Sequence, residues 1–178
     1  MSKLIKKRYA WILFAVAVIA QFVFPIRLIL QTRNILANGM EFRVHARDIH
    51  RASLSHDHYV RITLEVNIAE GVRHETRAQG LHYIRLQPNA QGFAEVVEIS
   101  RQPLTGDGVI RIQNLRWGWQ QQNTPIILPI DRYYFQGNFT PAIRFGTMEN
   151  VSATIRVLNG RAVISQLYVG SMRIEDSR

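Results

Sequence analysis

Four of the six histidines fall within fourteen residues: His45, His50, His56 and His58. On a strand, His56-x-His58 would put both imidazoles on one face, a spacing that can chelate zinc or copper. A site needs three or four ligands, and loops could supply His45 or His50; His45, His56 and His58 are the candidate metal ligands. The competing reading is a surface loop in which these histidines are ordinary solvated side chains. Ser55-His56-Asp57 contains the three residue types of a hydrolase triad. Adjacent residues of a strand point to opposite faces, so those three cannot form a hydrogen-bonded relay. There is no nucleophile-elbow motif, and the remaining carboxylates are scattered without an acid/base pair. No catalytic residue is assigned and no cofactor is expected. The enzymatic alternative is a metal-dependent hydrolase using the His45–His58 region.

Binding chemistry is concentrated further along the chain. Arg116-Trp117-Gly118-Trp119 places two indoles, Trp117 and Trp119, on one strand face around a glycine. They form either an aromatic platform for a partner or membrane surface, or a cross-strand packing cluster. Asp131-Arg132-Tyr133-Tyr134-Phe135 follows Leu-Pro-Ile and reads as a corner that packs the sheet, with Asp131 bonding local backbone amides. Asp131 and Tyr133 join the candidate binding residues.

Two kinds of element must position these residues. The first is Tyr9 to Phe24, in which Gln21 is the only polar side chain, preceded by Lys3, Lys6, Lys7 and Arg8. The pairing predicts one membrane-crossing helix with a cytoplasmic N-terminus. At about 1.5 Å per residue the run gives roughly 24 Å, and extension to Leu30 gives roughly 33 Å against a hydrocarbon core of roughly 30 Å. Arg27 would lift its guanidinium to the headgroups and leave its stem in the apolar layer. Pro25 is expected to kink the helix. A cleaved signal peptide should end in small residues spaced A-x-A, whereas this run ends in Phe-Pro-Ile-Arg-Leu-Ile-Leu. An uncleaved anchor over residues 1–33 is therefore expected, with Gln31 to Gly39 as a short polar linker or a last helical turn ended by Asn38-Gly39. Residues 34–178 would form one domain on the far side, the periplasm of a bacterial inner membrane.

The net charge of +9 is unevenly distributed. Six basic residues belong to the anchor region, leaving sixteen basic and thirteen acidic side chains, a net +3, for the outer domain. That is no nucleic-acid footprint. All three lysines lie within the first seven residues, so every later basic residue is arginine, which suits paired, partly buried cations. There is no cysteine, so the domain holds together through its core alone.

After residue 40 the periodicity changes to two. Tyr59 to Ile68 alternates cleanly, with Val60, Ile62, Leu64, Val66 and Ile68 on one face. Met40–Val44, Leu81–Leu86, Phe93–Ile99, Gly108–Trp119, Pro125–Pro129, Tyr133–Phe135, Val151–Leu158 and Arg161–Val169 are further strand candidates. Pro88-Asn89-Ala90-Gln91-Gly92 and Asn159-Gly160 mark hairpin turns. The fold class predicted is mainly β: one transmembrane helix followed by an antiparallel β-sandwich or partly closed barrel of about eight strands.

These segments, in this order, resemble the GDYXXLXY-domain family of bacterial membrane-anchored proteins. Arg47-Asp48-Ile49 matches its lead-in. The eponymous motif is eroded to Asp57-His58-Tyr59-Val60-Arg61-Ile62-Thr63-Leu64, in which Tyr59 is kept. Leu86 to Val96 resembles the family's strand-turn-strand with Gly-Phe-Ala, Leu128 to Phe135 its acidic-aromatic segment with Asp131 in the acidic place, and Val157 to Leu167 its terminal hairpin. The resemblance implies a multi-span membrane partner and carries over no active site. With Asp57 and Tyr59 added, the expected binding residues are Asp57, Tyr59, Trp117, Trp119, Asp131 and Tyr133. The reading is a single-pass accessory or interaction protein, with a small-ligand-binding β domain as a further alternative.

Overall fold

The computed structural model describes residues 2–51, 59–72, 79–118, 125–134, 146–147, 151–170 and 172–173. Helix α1 runs without interruption over Ser2–Asn38, with Pro25 inside it. Its stretch Val16–Asn38 is long and apolar enough to cross a membrane. None of its described side chains from Trp11 to Leu30 is buried, and Trp11, Phe14, Phe22 and Phe24 are all more than half exposed. Of the two readings of 31–39 the helical one holds: residues 31–38 are two further turns of this helix, ended at Asn38-Gly39. They are ordered by contact: Ile35 is only 4% exposed, and Gly39 closes the helix by donating its N–H to Ile35 O at 2.8 Å. Polar composition left linker and helix open, and the buried isoleucine decides for helix.

Among the described residues twelve strands follow: β1 (Met40–Arg51), β2 (Tyr59–Ile68), β3 (Leu81–Pro88), β4 (Ala94–Ser100), β5 (Val109–Gln113), β6 (Arg116–Trp117), β7 (Ile126–Ile127), β8 (Arg132–Tyr134), β9 (Gly146–Thr147), β10 (Val151–Leu158), β11 (Arg161–Val169) and β12 (Met172–Arg173). Along the main path the strands pair in the order β12-β11-β10-β1-β2-β4-β3-β5, and the short β7 and β8 also pair with β2. Between these strands pairing is antiparallel except at β2–β4, where Asn67↔Glu95 and Ile68↔Val96 run parallel, and the isolated bridges Arg43↔Phe93 and Ile110↔Gly160 are parallel too. This short parallel join departs from the expected all-antiparallel sheet. Alternation fixes which face a side chain takes but not the strand it will meet.

Register breaks in β1–β2, β3–β4 and β10–β11 bend the sheet. Its far end returns on itself: Arg111 N–H donates to Gly160 O at 2.9 Å, joining β5 to the β10–β11 turn. The result is a partly closed barrel, one of the two architectures expected from the sequence. Val60, Ile62, Leu64 and Val66 of β2 point inward with Val44, Ala46, Ile84, Leu86, Ile112 and Ile155, and these buried side chains fill the interior. The turn at Asn159-Gly160 has φ of 51° and 76°, the left-handed pair that a two-residue hairpin of this twist requires. At the β3–β4 turn, Asn89 Oδ1 accepts the N–H groups of Gln91 and Phe93, both at 3.0 Å.

The all-arginine composition has a structural counterpart. Arg85 pairs with Glu98 and Arg156 with Glu41, both at 2.9 Å, and each guanidinium is about a third exposed or less.

Candidate functional site: a charged cleft beside strand β2

An open cleft of about 880 Å³ lies along the outward face of β2. Because the inward residues of β2 are apolar, Arg61, Thr63 and Glu65 must face outward. β1 adds Arg47, and the β6–β7 ribbon adds Arg116, Trp117 and Gly118. The β7–β8 connection adds Pro129 and Asp131, and Gln113 and Asn114 close one end. Asn114 is held at φ 60° by a reciprocal pair of bonds with Gly80: its own N–H donates to Gly80 O, and its Oδ1 accepts Gly80 N–H.

The charges are unequal. Arg47 Nη1 lies 3.3 Å from Glu65 Oε1, and Arg61 Nε lies 3.3 Å from Asp131 Oδ2, with Arg132 at 3.9 Å from the other Asp131 oxygen. Arg116 is exposed and has no carboxylate partner among the described residues. Three guanidinium groups therefore line the cleft against two carboxylates. The Glu65 carboxylate is the most protected of these groups, with its side chain 12% exposed. Gly118 permits this: a Cβ there would stand 2.7 Å from Pro125 Cγ and 3.2 Å from Glu65 Oε1. What the cleft can do chemically is hold a carboxylate or another anion against Arg116, flanked by an indole and two amides.

The sequence-predicted residues divide. Trp117 and Asp131 both line the cleft. Trp117 is also packed against the core, so it serves as packing and as binding surface together. The Asp131 carboxylate meets two guanidinium groups rather than the backbone amides expected of it; the Asp131 carbonyl instead accepts Ile62 N–H at 2.8 Å. Tyr133 is 4% exposed and belongs to the core. The backbone of Tyr59 pairs with Tyr134. Asp57, His56, His58 and Trp119 lie outside the described residues, as does the Ser55-His56-Asp57 tripeptide. Arg47, Arg61 and Glu65 were missed as site residues, because only pairing across β1 and β2 brings them together.

His45 stands on β1, outside the cleft. Its ring lies flat on Phe93, with centroids 3.9 Å apart and planes 9° from parallel, and the Arg43 guanidinium sits 4.9 Å from the same ring. Burial, then the Arg43 charge, hold its pKa below the ordinary histidine value, partly opposed by Glu65. Among the described residues no three His, Cys, Asp or Glu side chains are grouped to hold a metal ion.

A depressed histidine pKa means that the unfolded chain binds the proton more readily than the folded one. Its contribution to stability is therefore complete above pH of about 6.5 and is lost as the pH falls from there toward the folded-state pKa. Denaturant unfolding of the full chain in mild detergent should accordingly show stability falling between pH 7.5 and 5.5. The fall should be smaller in His45→Gln; identical slopes in the two proteins would refute the assignment.

Three of the segments that carry the family likeness meet at this cleft: Arg47 of the lead-in, Arg61 to Thr63 of the eroded motif, and Leu128 to Asp131 of the acidic-aromatic segment. The family model described as GDYXXLXY protein matches residues 21–167. The chain belongs to the GDYXXLXY family. The match takes in the C-terminal half of α1 and the strands as far as β11, so this part of the helix and the half-barrel fall within one family match. No curated protein and no solved structure matches the chain.

Proposed function

We propose that this GDYXXLXY protein is a single-pass, membrane-anchored accessory protein whose half-barrel engages a multi-span membrane partner through the Arg116 cleft. The observation that carries the reading is the joint: α1 passes without a linker from an unburied apolar stretch into a turn docked on the domain. An apolar helix with no polar face and no covering protein is stable in lipid. Four basic residues before the apolar run against two (Arg27, Arg33) after it favour a cytoplasmic N-terminus and a periplasmic domain. So short a joint holds the cleft at a set height and bearing relative to the bilayer, which is what a subunit needs to meet a neighbour in the same membrane.

The excess of guanidinium groups selects an acidic segment on that neighbour, and Trp117 supplies apolar contact beside it. A small ligand inside the barrel is the less favoured reading, because the interior is filled by side chains and the open volume lies outside the sheet. Purification of the full chain from native membranes in mild detergent should recover a multi-span protein. Arg61→Glu/Arg116→Glu should reduce that recovery about ten-fold or more without altering the amount of the chain itself. Recovery of the wild-type chain alone and monomeric under several gentle conditions would contradict the proposal.

A further inference from the structure

We infer that the angle between the outer end of α1 and the β10–β11 turn binds the phosphate headgroup of an anionic phospholipid. This rests on α1 spanning the bilayer, as proposed above. The geometry begins with Arg161, the first residue after the turn, whose Nη1 donates to Gln31 Oε1 at 2.7 Å. A neutral amide is its partner, so its charge is left uncompensated. Residues four apart share a face of a helix, so Arg27, Gln31 and Ile35 form one stripe, and this stripe faces the domain because Ile35 is buried and Gln31 is bonded. Arg27 therefore lies one turn below Gln31, the partner of Arg161, about 6 Å nearer the apolar run. The polar layer of each leaflet is roughly 5–8 Å thick, so the two guanidinium groups bracket it.

Arg111 completes the site from the side. Its N–H bonds to Gly160 O, and a Cβ at Gly160 would stand 3.5 Å from Arg111 Cβ, which places its side chain beside the turn. Arg27, Arg111 and Arg161 are all exposed, and none has a carboxylate partner among the described residues. Asp107 lines a neighbouring hollow with Asn159 of the same turn, and counted against the three arginines it leaves a charge of +2. A lipid phosphate is the anion that must occur at this depth, and donors on both sides of it give charge-assisted hydrogen bonds.

The test uses the full chain in nanodiscs of mixed phosphatidylglycerol and phosphatidylcholine, with retained lipid read by native mass spectrometry. Wild type should retain phosphatidylglycerol about ten-fold or more above its bulk ratio. Arg27→Gln/Arg111→Gln/Arg161→Gln should return to the bulk ratio. Arg161→Lys, which keeps the charge, should preserve the enrichment, as should Arg33→Gln, which removes a charge from the other side of α1. Retention at the bulk ratio by wild type, or equal loss in Arg33→Gln and the triple variant, overturns the headgroup site while the anchor stands. Release of wild type from membranes by carbonate overturns both.

Discussion

Leu64→Ala should destabilise the domain by about 2–5 kcal/mol, the cost of removing a fully enclosed leucine and leaving a cavity. Leu64 is 0% exposed at the centre of the half-barrel. It lies opposite Ala46 in β1, and its carbonyl accepts Leu128 N–H at 3.0 Å, so the strands around it are held on both sides and cannot collapse into the void. Thr63→Ala, one residue away on the outward face, should cost less than about 1 kcal/mol. Urea unfolding of both variants in mild detergent reads the contrast. Equal losses would mean that β2 does not present alternate residues to core and solvent, and the cleft assignment would fall with that pattern.

Gly39→Ala should be the most damaging small change outside the core. An added Cβ would stand 2.4 Å from Ile35 O, 3.1 Å from Arg156 Cβ and 3.1 Å from Val157 N. Two of those atoms are backbone, one in α1 itself and one in β10, so relief requires the last turn of α1 to open and its end to lift from β10. The overpacking costs about 1–3 kcal/mol, and the larger consequence is mechanical. Lifting α1 exposes Ile35 and breaks the Arg161–Gln31 bond, which converts a fixed joint into a hinge. Limited proteolysis of the full chain in detergent should show cleavage between residues 31 and 40 in Gly39→Ala and resistance there in wild type. Unchanged resistance in the variant would show that the joint is not held by this close approach.

The sequence made plain what local chemistry controls. The bounds of β2, Tyr59 to Ile68, follow from its alternation, and the β10–β11 hairpin follows from Asn159-Gly160, because each depends on residues adjacent in the chain. The parallel contact of β2 with β4 and the return of β5 to Gly160 depend on residues remote in sequence and left no local mark. The break at Asn114, which divides the expected Gly108–Trp119 strand into β5 and β6, was masked by apolar residues on both sides. The site was legible to the same degree. Trp117 and Asp131 stood out by type and surroundings. The arginines at 47 and 61 looked like the rest of an arginine-rich surface until strand pairing set them beside Glu65 and Asp131. Tyr133 carried the same aromatic signal as Trp117, yet its inward face put it in the core.

Everything functional proposed above requires that α1 remain in the bilayer and hold the half-barrel against its outer surface. The most direct measurement is protease treatment of intact spheroplasts, followed by carbonate washing of their membranes and detection of both ends of the chain. The account predicts that external protease removes the C-terminal domain while the helix, with its basic N-terminus, stays in the carbonate-washed membrane. A full-length chain that resists the external protease yet leaves the membrane in carbonate would contradict it.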